Sequence, residues 1–119
     1  LPTAEVSEAV IPVSVVDQED YSDPEVKSFS RLVRSSRAVV VLTPQFNRGY
    51  PGNLKNLLDH LYHEWRSKPF LVFTYGGHGG GSCAQQLLTV LQAGLKAQVV
   101  SDPVAITLPE EYIRGDNRV

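Results

Sequence analysis

The chain has 119 residues, of which 42% are hydrophobic and 20% charged, with a formal net charge of −2. That is room for one domain of an ordinary globule, and the charge balance offers no electrostatic footing for nucleic acid. No apolar run approaches the roughly 20 residues of a membrane span, and no basic head with an apolar stretch marks a leader.

The single cysteine, Cys83, excludes an internal disulfide and suits a reducing compartment, so a cytoplasmic location is expected. The sequence begins with Leu1 and contains no methionine, and it reads as a piece of a larger α/β domain.

Residues 1–22 are loop-like, with Pro2, Pro12 and an acidic Asp17-Gln18-Glu19-Asp20 patch. Ile11 to Val16 has strand character, but Pro12 within the run demotes it to an edge or an extended loop. Ser22-Asp23-Pro24-Glu25 supplies a capping side chain and a proline at the start of a helix. Val26, Phe29, Leu32 and Val33 then recur at helical spacing, predicting a helix over 24–36.

Ala38–Thr43 is a short, continuous apolar run, as expected of a strand buried on both faces. A loop with two glycines and two prolines, Pro44–Asn53, follows, and Asn53 is placed to cap the next helix. Leu54, Leu57, Leu58, Leu61 and Trp65 mark that helix's buried stripe, ending near Arg66. Phe70–Tyr75 is a second strand and Gly76–Gly81 a second loop. Ser82 to Lys96 is a second long helix, with Leu87, Leu88, Leu91 and Leu95 facing inward. Gln98–Val100 and Val104–Leu108 supply a third strand, interrupted near Asp102-Pro103, before a polar tail over 109–119.

Strands alternating with helices of these lengths mean βαβ units and a parallel sheet with right-handed crossovers. Residues 1–119 are read as one partial, doubly wound domain. In such sheets ligands sit beyond the carboxyl ends of the strands, so the two strand-to-helix loops form the walls of a candidate crevice. In the first, Pro44 stiffens the strand exit, Phe46 offers an aromatic face and Asn47 is expected to brace the turn through its side chain; a purely structural connection is the alternative. The second has five glycines in six positions. A segment so short of side chains is tolerated where a ligand approaches the backbone or N–H groups gather around an anionic atom. His78 in its midst either donates to that ligand or stands at the surface.

Thr43-Pro44-Gln45-Phe46-Asn47, Gly49-Tyr50-Pro51-Gly52 and Leu54-Lys55-Asn56 with Asp59 resemble the Pro-Glu-Tyr-Asn…Leu-Lys-Asn…Asp signature of the NADPH-dependent FMN reductases. Tyr62-His63-Glu64-Trp65 before Lys68-Pro69, and Tyr75-Gly76-Gly77-His78-Gly79-Gly80, extend the likeness, which is greatest to small flavodoxin-like quinone/FMN reductases of the fungal type. It covers about residues 1–113, with Leu1-Pro2…Glu8…Ile11-Pro12 resembling the loop after that family's second strand.

The resemblance implies a flavodoxin-like three-layer α/β/α fold whose first strand, first helix, second strand and last helix are missing. It implies FMN held by Pro44, Gln45, Phe46 and Asn47 on one side and by Tyr75, Gly76, Gly77, His78 and Gly79 at the pyrimidine end. It also implies a ping-pong reaction, in which hydride passes from NADPH through bound FMN to a quinone or free flavin, with no side chain acting as acid or base. A homodimer is implied too, for which Tyr62-His63-Glu64-Trp65 is a candidate contact, an ordinary half-buried helix end being the alternative. Two departures stand out: Gln45 replaces the usual Glu, and Phe46 the usual Tyr. The Gly-Ser-x-Arg-type loop that holds the FMN phosphate has no counterpart.

The residues alone also admit other chemistries. His78-Gly79-Gly80-Gly81 before Ser82 matches an esterase oxyanion loop, but no Gly-x-Ser-x-Gly elbow follows and no histidine lies beyond 78. Cys83 near His78 suggests a thiol nucleophile or simple small-residue packing. His60 and His63, at i, i+3 with Glu64 beside them, could touch a metal, but no further ligand is placed by sequence, and exposed helix polarity is the alternative. A non-catalytic module that keeps the fold without the cofactor is the remaining alternative.

Overall fold

A computed structural model of the chain describes residues 21–113. The Ile11–Val16 segment, the acidic patch and residues 114–119 lie outside them. Helix α1 spans Pro24–Ser35. Asp23 caps it as expected, its carboxylate accepting the Glu25 N–H at 2.8 Å, and Pro24 stands at the first position, where its missing N–H costs nothing. At the other end, Lys68 Nζ donates to the Val33 and Ser36 carbonyls at 2.8 and 2.6 Å. A cation thereby satisfies acceptors that a helix end leaves open.

Strand β1, Val39–Pro44, lies parallel to β2, Pro69–Gly76, in the register Val39↔Phe70 through Pro44↔Tyr75. Short strands β3, Gln98–Val99, and β4, Val104–Thr107, both pair parallel to the far side of β2. They are the one interrupted strand that the sequence predicts, broken at Asp102-Pro103. A parallel sheet with helical crossovers is therefore what the chain builds.

Burial on both faces of β1 is not what the described residues show. Val41 and Thr43 are buried, whereas Val40 is 56% and Leu42 68% exposed. The cause is the placement of the helices. Val26, Phe29 and Val33 of α1, Leu58 of α2 and Leu87 of α3 join one cluster with Val41, Phe70 and Val72, the residues that share one face of the sheet. On the opposite face Val40, Leu42, Val104 and Ile106 are exposed. Among the described residues there is one sheet and one helical layer.

Helix α2 covers Gly52–Asp59 and starts at Pro51 without a side-chain cap, so Asn53 lies inside its first turn instead of capping it. The predicted helix to Arg66 stops at Asp59, and a 3-10 turn, His63–Trp65, follows. Residues 58 and 65 would be about 10 Å apart along a continuous helix. The break lets the Trp65 indole N–H donate to the Leu58 carbonyl at 2.9 Å, and the ring still fills the core between Phe29 and Phe70, with ring centroids 5.9 and 5.6 Å away.

The core also holds a carboxylate. Glu64 is buried and accepts hydrogen bonds from the Ser30 and Tyr21 hydroxyls.

Helix α3, Gly81–Leu88, widens into a π-helical segment, Thr89–Gly94. Successive i, i+4 positions drift by about 40° on an α-helix. The wider turn takes up that drift and keeps Leu87, Leu91 and Leu95 in the core. Leu88, expected inward, is only half-buried. A short helical turn, α4, Glu110–Ile113, stands in the polar tail.

Candidate functional site

Both candidate loops leave the carboxyl ends of adjacent parallel strands, β1 and β2, as the sequence predicts. The first folds into a miniature hairpin. Phe46 N–H donates to the Gly49 carbonyl and Gly49 N–H to the Phe46 carbonyl, each at 2.8 Å. The two residues between them, Asn47 and Arg48, have φ of 49° and 67°. Two consecutive positive φ values define a type I′ turn, for which asparagine is well suited and arginine is not. Asn47 therefore shapes the loop through its backbone conformation, and among the described residues no hydrogen bond supplies the side-chain brace expected of it. Phe46 stands at the tip, 58% exposed.

The glycine loop has internal reasons for several of its glycines. Gly79 has φ of 86° and donates its N–H to the Gly76 carbonyl at 3.2 Å. A Cβ on Gly76 would lie 2.7 Å from the Gly79 carbonyl oxygen, and one on Gly80 only 2.3 Å from Thr74 Oγ1. Close approach of backbone to ligand is thus not needed to explain these three. A Cβ on Gly81 would meet nothing within 4 Å. Gly77 and His78 form the exposed tip, and neither of their N–H groups, nor that of Asn47, finds an acceptor among the described residues.

Hydrogen bonds tie the first loop to the elements that flank the second. Gln45 N–H donates to the Tyr75 carbonyl at 2.7 Å, Cys83 N–H donates to Gln45 Oε1 at 2.9 Å, and Gln86 Nε2 donates to the Arg48 carbonyl at 3.2 Å. Pro44 and Tyr75 are register partners. The structure thereby brings Pro44, Gln45, Tyr75, Gly76 and Gly79 close together. Phe46, Asn47, Gly77 and His78 are exposed, on their own loops. Reasoning from sequence misses Gln86; the available signal is a long amide side chain one turn into the helix that follows the glycine loop.

The rival chemistries find less here. Cys83 is fully buried, and burial pushes its thiol pKa up, away from the thiolate that a nucleophile needs. His78 and Ser82 are both exposed and share no hydrogen bond. Among the described residues no three His, Cys, Asp or Glu side chains gather as metal ligands, and no helix is long and apolar enough to cross a membrane. A shallow hollow of about 410 Å³ lies at the other end of β2, lined by Arg34, Glu64, Arg66 and Lys68 among others. Its Lys68 and Glu64 are already committed to α1 and Tyr21, so these groups serve the fold.

A parallel sheet with helical crossovers and two loops at the carboxyl ends of adjacent strands is the arrangement of flavodoxin-like proteins, and solved structures agree. The flavoenzyme NAD(P)H:(acceptor) oxidoreductase FerB of Paracoccus denitrificans superposes with a TM-score of 0.59 at 24% identity, over 78% of this chain and 56% of that one. Residues 3–109 match the NADPH-dependent FMN reductase family, and the chain belongs to it. Among its relatives, the NAD(P)H-dependent FMN reductase LOT6 of Saccharomyces cerevisiae is 46% identical over 109 residues, 92% of this chain and 56% of that protein. A quinone reductase of Pseudomonas putida is 32% identical over 116 residues, 88% of this chain and 57% of that protein. The chain thus spans a little over half the length of the relatives it matches.

Proposed function

We propose that the protein is an FMN-dependent NAD(P)H oxidoreductase, with a quinone or free flavin as electron acceptor. The observation that carries this reading is the pair of loops at the carboxyl ends of β1 and β2. The first is hydrogen-bonded to the end of β2 and to α3, the elements that flank the second; together they present the exposed ring of Phe46 and leave N–H groups of Asn47, Gly77 and His78 without acceptors among the described residues. This donor set fits the carbonyl-rich edge of an isoalloxazine, and the aromatic side chain fits its face.

Bound FMN would supply the hydride chemistry, taking two electrons from NAD(P)H and giving them to the acceptor in ping-pong fashion. The chain's own residues bind and orient. Pro44 to Asn47 form one side of the ring's berth, and Tyr75 to Gly79 the side toward its pyrimidine end. N–H groups there are placed to favour negative charge developing at that end, as oxyanion-hole donors do. No side chain is assigned a proton. Phe46 in place of Tyr keeps the aromatic face and loses a hydroxyl, so the reading relies on stacking alone at that position.

The reading extends to a homodimer in the cytoplasm. Trp65 and Glu64 are buried within the protomer, so the proposed contact at that turn reduces to Tyr62 and His63, whose rings meet edge to face at 5.1 Å.

A second reading is a non-catalytic flavodoxin-like fragment. The exposure of Val40 and Leu42 on one sheet face, among the described residues, favours it. Loss of nicotinamide absorbance in the presence of a benzoquinone, with and without added FMN, separates the two. FMN-dependent NADPH oxidation supports the enzyme; its absence at saturating FMN supports the fragment.

A further inference from the structure

Helix α3 begins without a cap of its own. Its N-cap residue is Gly80, which makes no side-chain hydrogen bond, and Thr74 Oγ1 occupies the place where a Cβ at 80 would stand. Thr74 also spends its hydroxyl on the Gly80 carbonyl, at 2.8 Å. A helix start leaves N–H groups open, and a side-chain oxygen ordinarily accepts from the second or third of them. Here the third, Cys83 N–H, is met by Gln45 Oε1 from 38 residues earlier in the chain.

The same residue holds the other flank of the glycine loop. Its backbone N–H is bonded to the carbonyl of Tyr75, the penultimate residue of β2, and a Cβ on Gly76 would lie 3.4 Å from its own Cβ. Gln45 therefore touches the segment immediately before the glycine loop and the helix turn immediately after it. Cys83 Sγ lies 4.0 Å from the Pro44 carbonyl oxygen, which places the only cysteine of the chain at this junction.

We propose that Gln45 is a positioning residue that caps α3 in trans and holds the two walls of the crevice at one separation. Ring affinity then depends on a side chain whose own acceptor is turned to the helix. This rests on the flavin-binding reading above for its consequence, but not for the cap itself. A neutral amide does this work in a place where a carboxylate would also accept the bond, so Gln45→Glu keeps the cap and Gln45→Ala removes it.

Alkylation of Cys83 by a small thiol reagent reads the junction directly in the chain without ligand. Asp23→Ala serves as the matched control, because it removes an equivalent cap from α1 and lowers overall stability without touching the junction. The cap predicts alkylation of the Gln45→Ala chain about tenfold faster than that of the Asp23→Ala chain, with the parent rate restored in Gln45→Glu. Equal rates in Gln45→Ala and Asp23→Ala, or no rescue by Gln45→Glu, overturn the cap.

Quenching of FMN fluorescence reads the consequence. Affinity about tenfold weaker in Gln45→Ala than in Asp23→Ala supports it, and equal affinity overturns it. If the parent chain binds no FMN, the ring-holding reading of the crevice falls and takes the affinity clause with it, while alkylation alone decides the cap.

Discussion

A Cβ at position 80 would stand 2.3 Å from the hydroxyl of Thr74, with the Thr74 backbone carbon only 2.7 Å away. The neighbour is fully buried and bonded to the Gly80 carbonyl, so it has no room to yield. Gly80→Ala should cost about 3 kcal/mol, the upper part of the range for overpacking. Gly81→Ala, one residue on, meets nothing within 4 Å and should stabilise by about 0.5 kcal/mol through the unfolded chain. Urea midpoints of the two variants check the contrast. Equal effects would mean that the glycine loop does not pack on Thr74.

Arg48 occupies the second central position of the type I′ turn with φ of 67°. A left-handed conformation costs a residue with a Cβ about 1–2 kcal/mol, while glycine adopts it freely at some entropic cost in the unfolded chain. Arg48→Gly should therefore stabilise the protein by about 0.5–1 kcal/mol, leaving the carbonyl that receives Gln86 in place. A higher urea midpoint with an unchanged slope is the expected result.

The pKa of Tyr21 is pushed up to about 12, first by burial and then by the charge of Glu64, whose carboxylate accepts its hydroxyl at 3.2 Å. A folded pKa raised above the unfolded value of 10 means that the contribution is full below pH 10 and is lost as pH rises toward and through 12. The difference in stability between the parent chain and Tyr21→Phe should thus be constant from pH 7 to about 9 and shrink above pH 10. A difference that grows with alkaline pH would contradict the Tyr21–Glu64 bond.

Val40 and Leu42 lie on the exposed face of β1, at 56% and 68% exposure, and among the described residues β1 is an edge strand. An apolar, unpaired edge of this kind promotes association between chains. Leu42→Lys should reduce concentration-dependent aggregation, seen in light scattering, with little change in the urea midpoint. Undiminished aggregation would place the sticky surface elsewhere.

Much of this architecture is legible in the amino-acid sequence. The Asp23-Pro24 start of α1 follows from a capping side chain and a proline, and the interrupted β3–β4 strand from two apolar runs around Asp102-Pro103. These signals are local. The early end of α2 is hidden because Leu58 and Trp65 fall at helical spacing whether or not the helix continues; the indole bond to the Leu58 carbonyl, which the break permits, is invisible in the sequence. The continuous apolar run of β1 predicts two covered faces, since periodicity reports which residues are apolar and not which face a helix reaches. The nine candidate site residues fall on two loops at neighbouring strand ends, but the bonds that link the first loop to α3, Gln45 to Cys83 and Gln86 to Arg48, connect residues 38 apart in sequence. Asn47-Arg48 lacks the glycine that would announce a type I′ turn.

The most direct test of the account is a fluorescence titration of the chain with FMN and, in parallel, with riboflavin. On the proposed reading the two loops hold the isoalloxazine ring, which FMN and riboflavin share, so both should show saturable quenching in the micromolar range with similar affinity. Failure of both to bind would contradict the claim that these two loops hold a flavin.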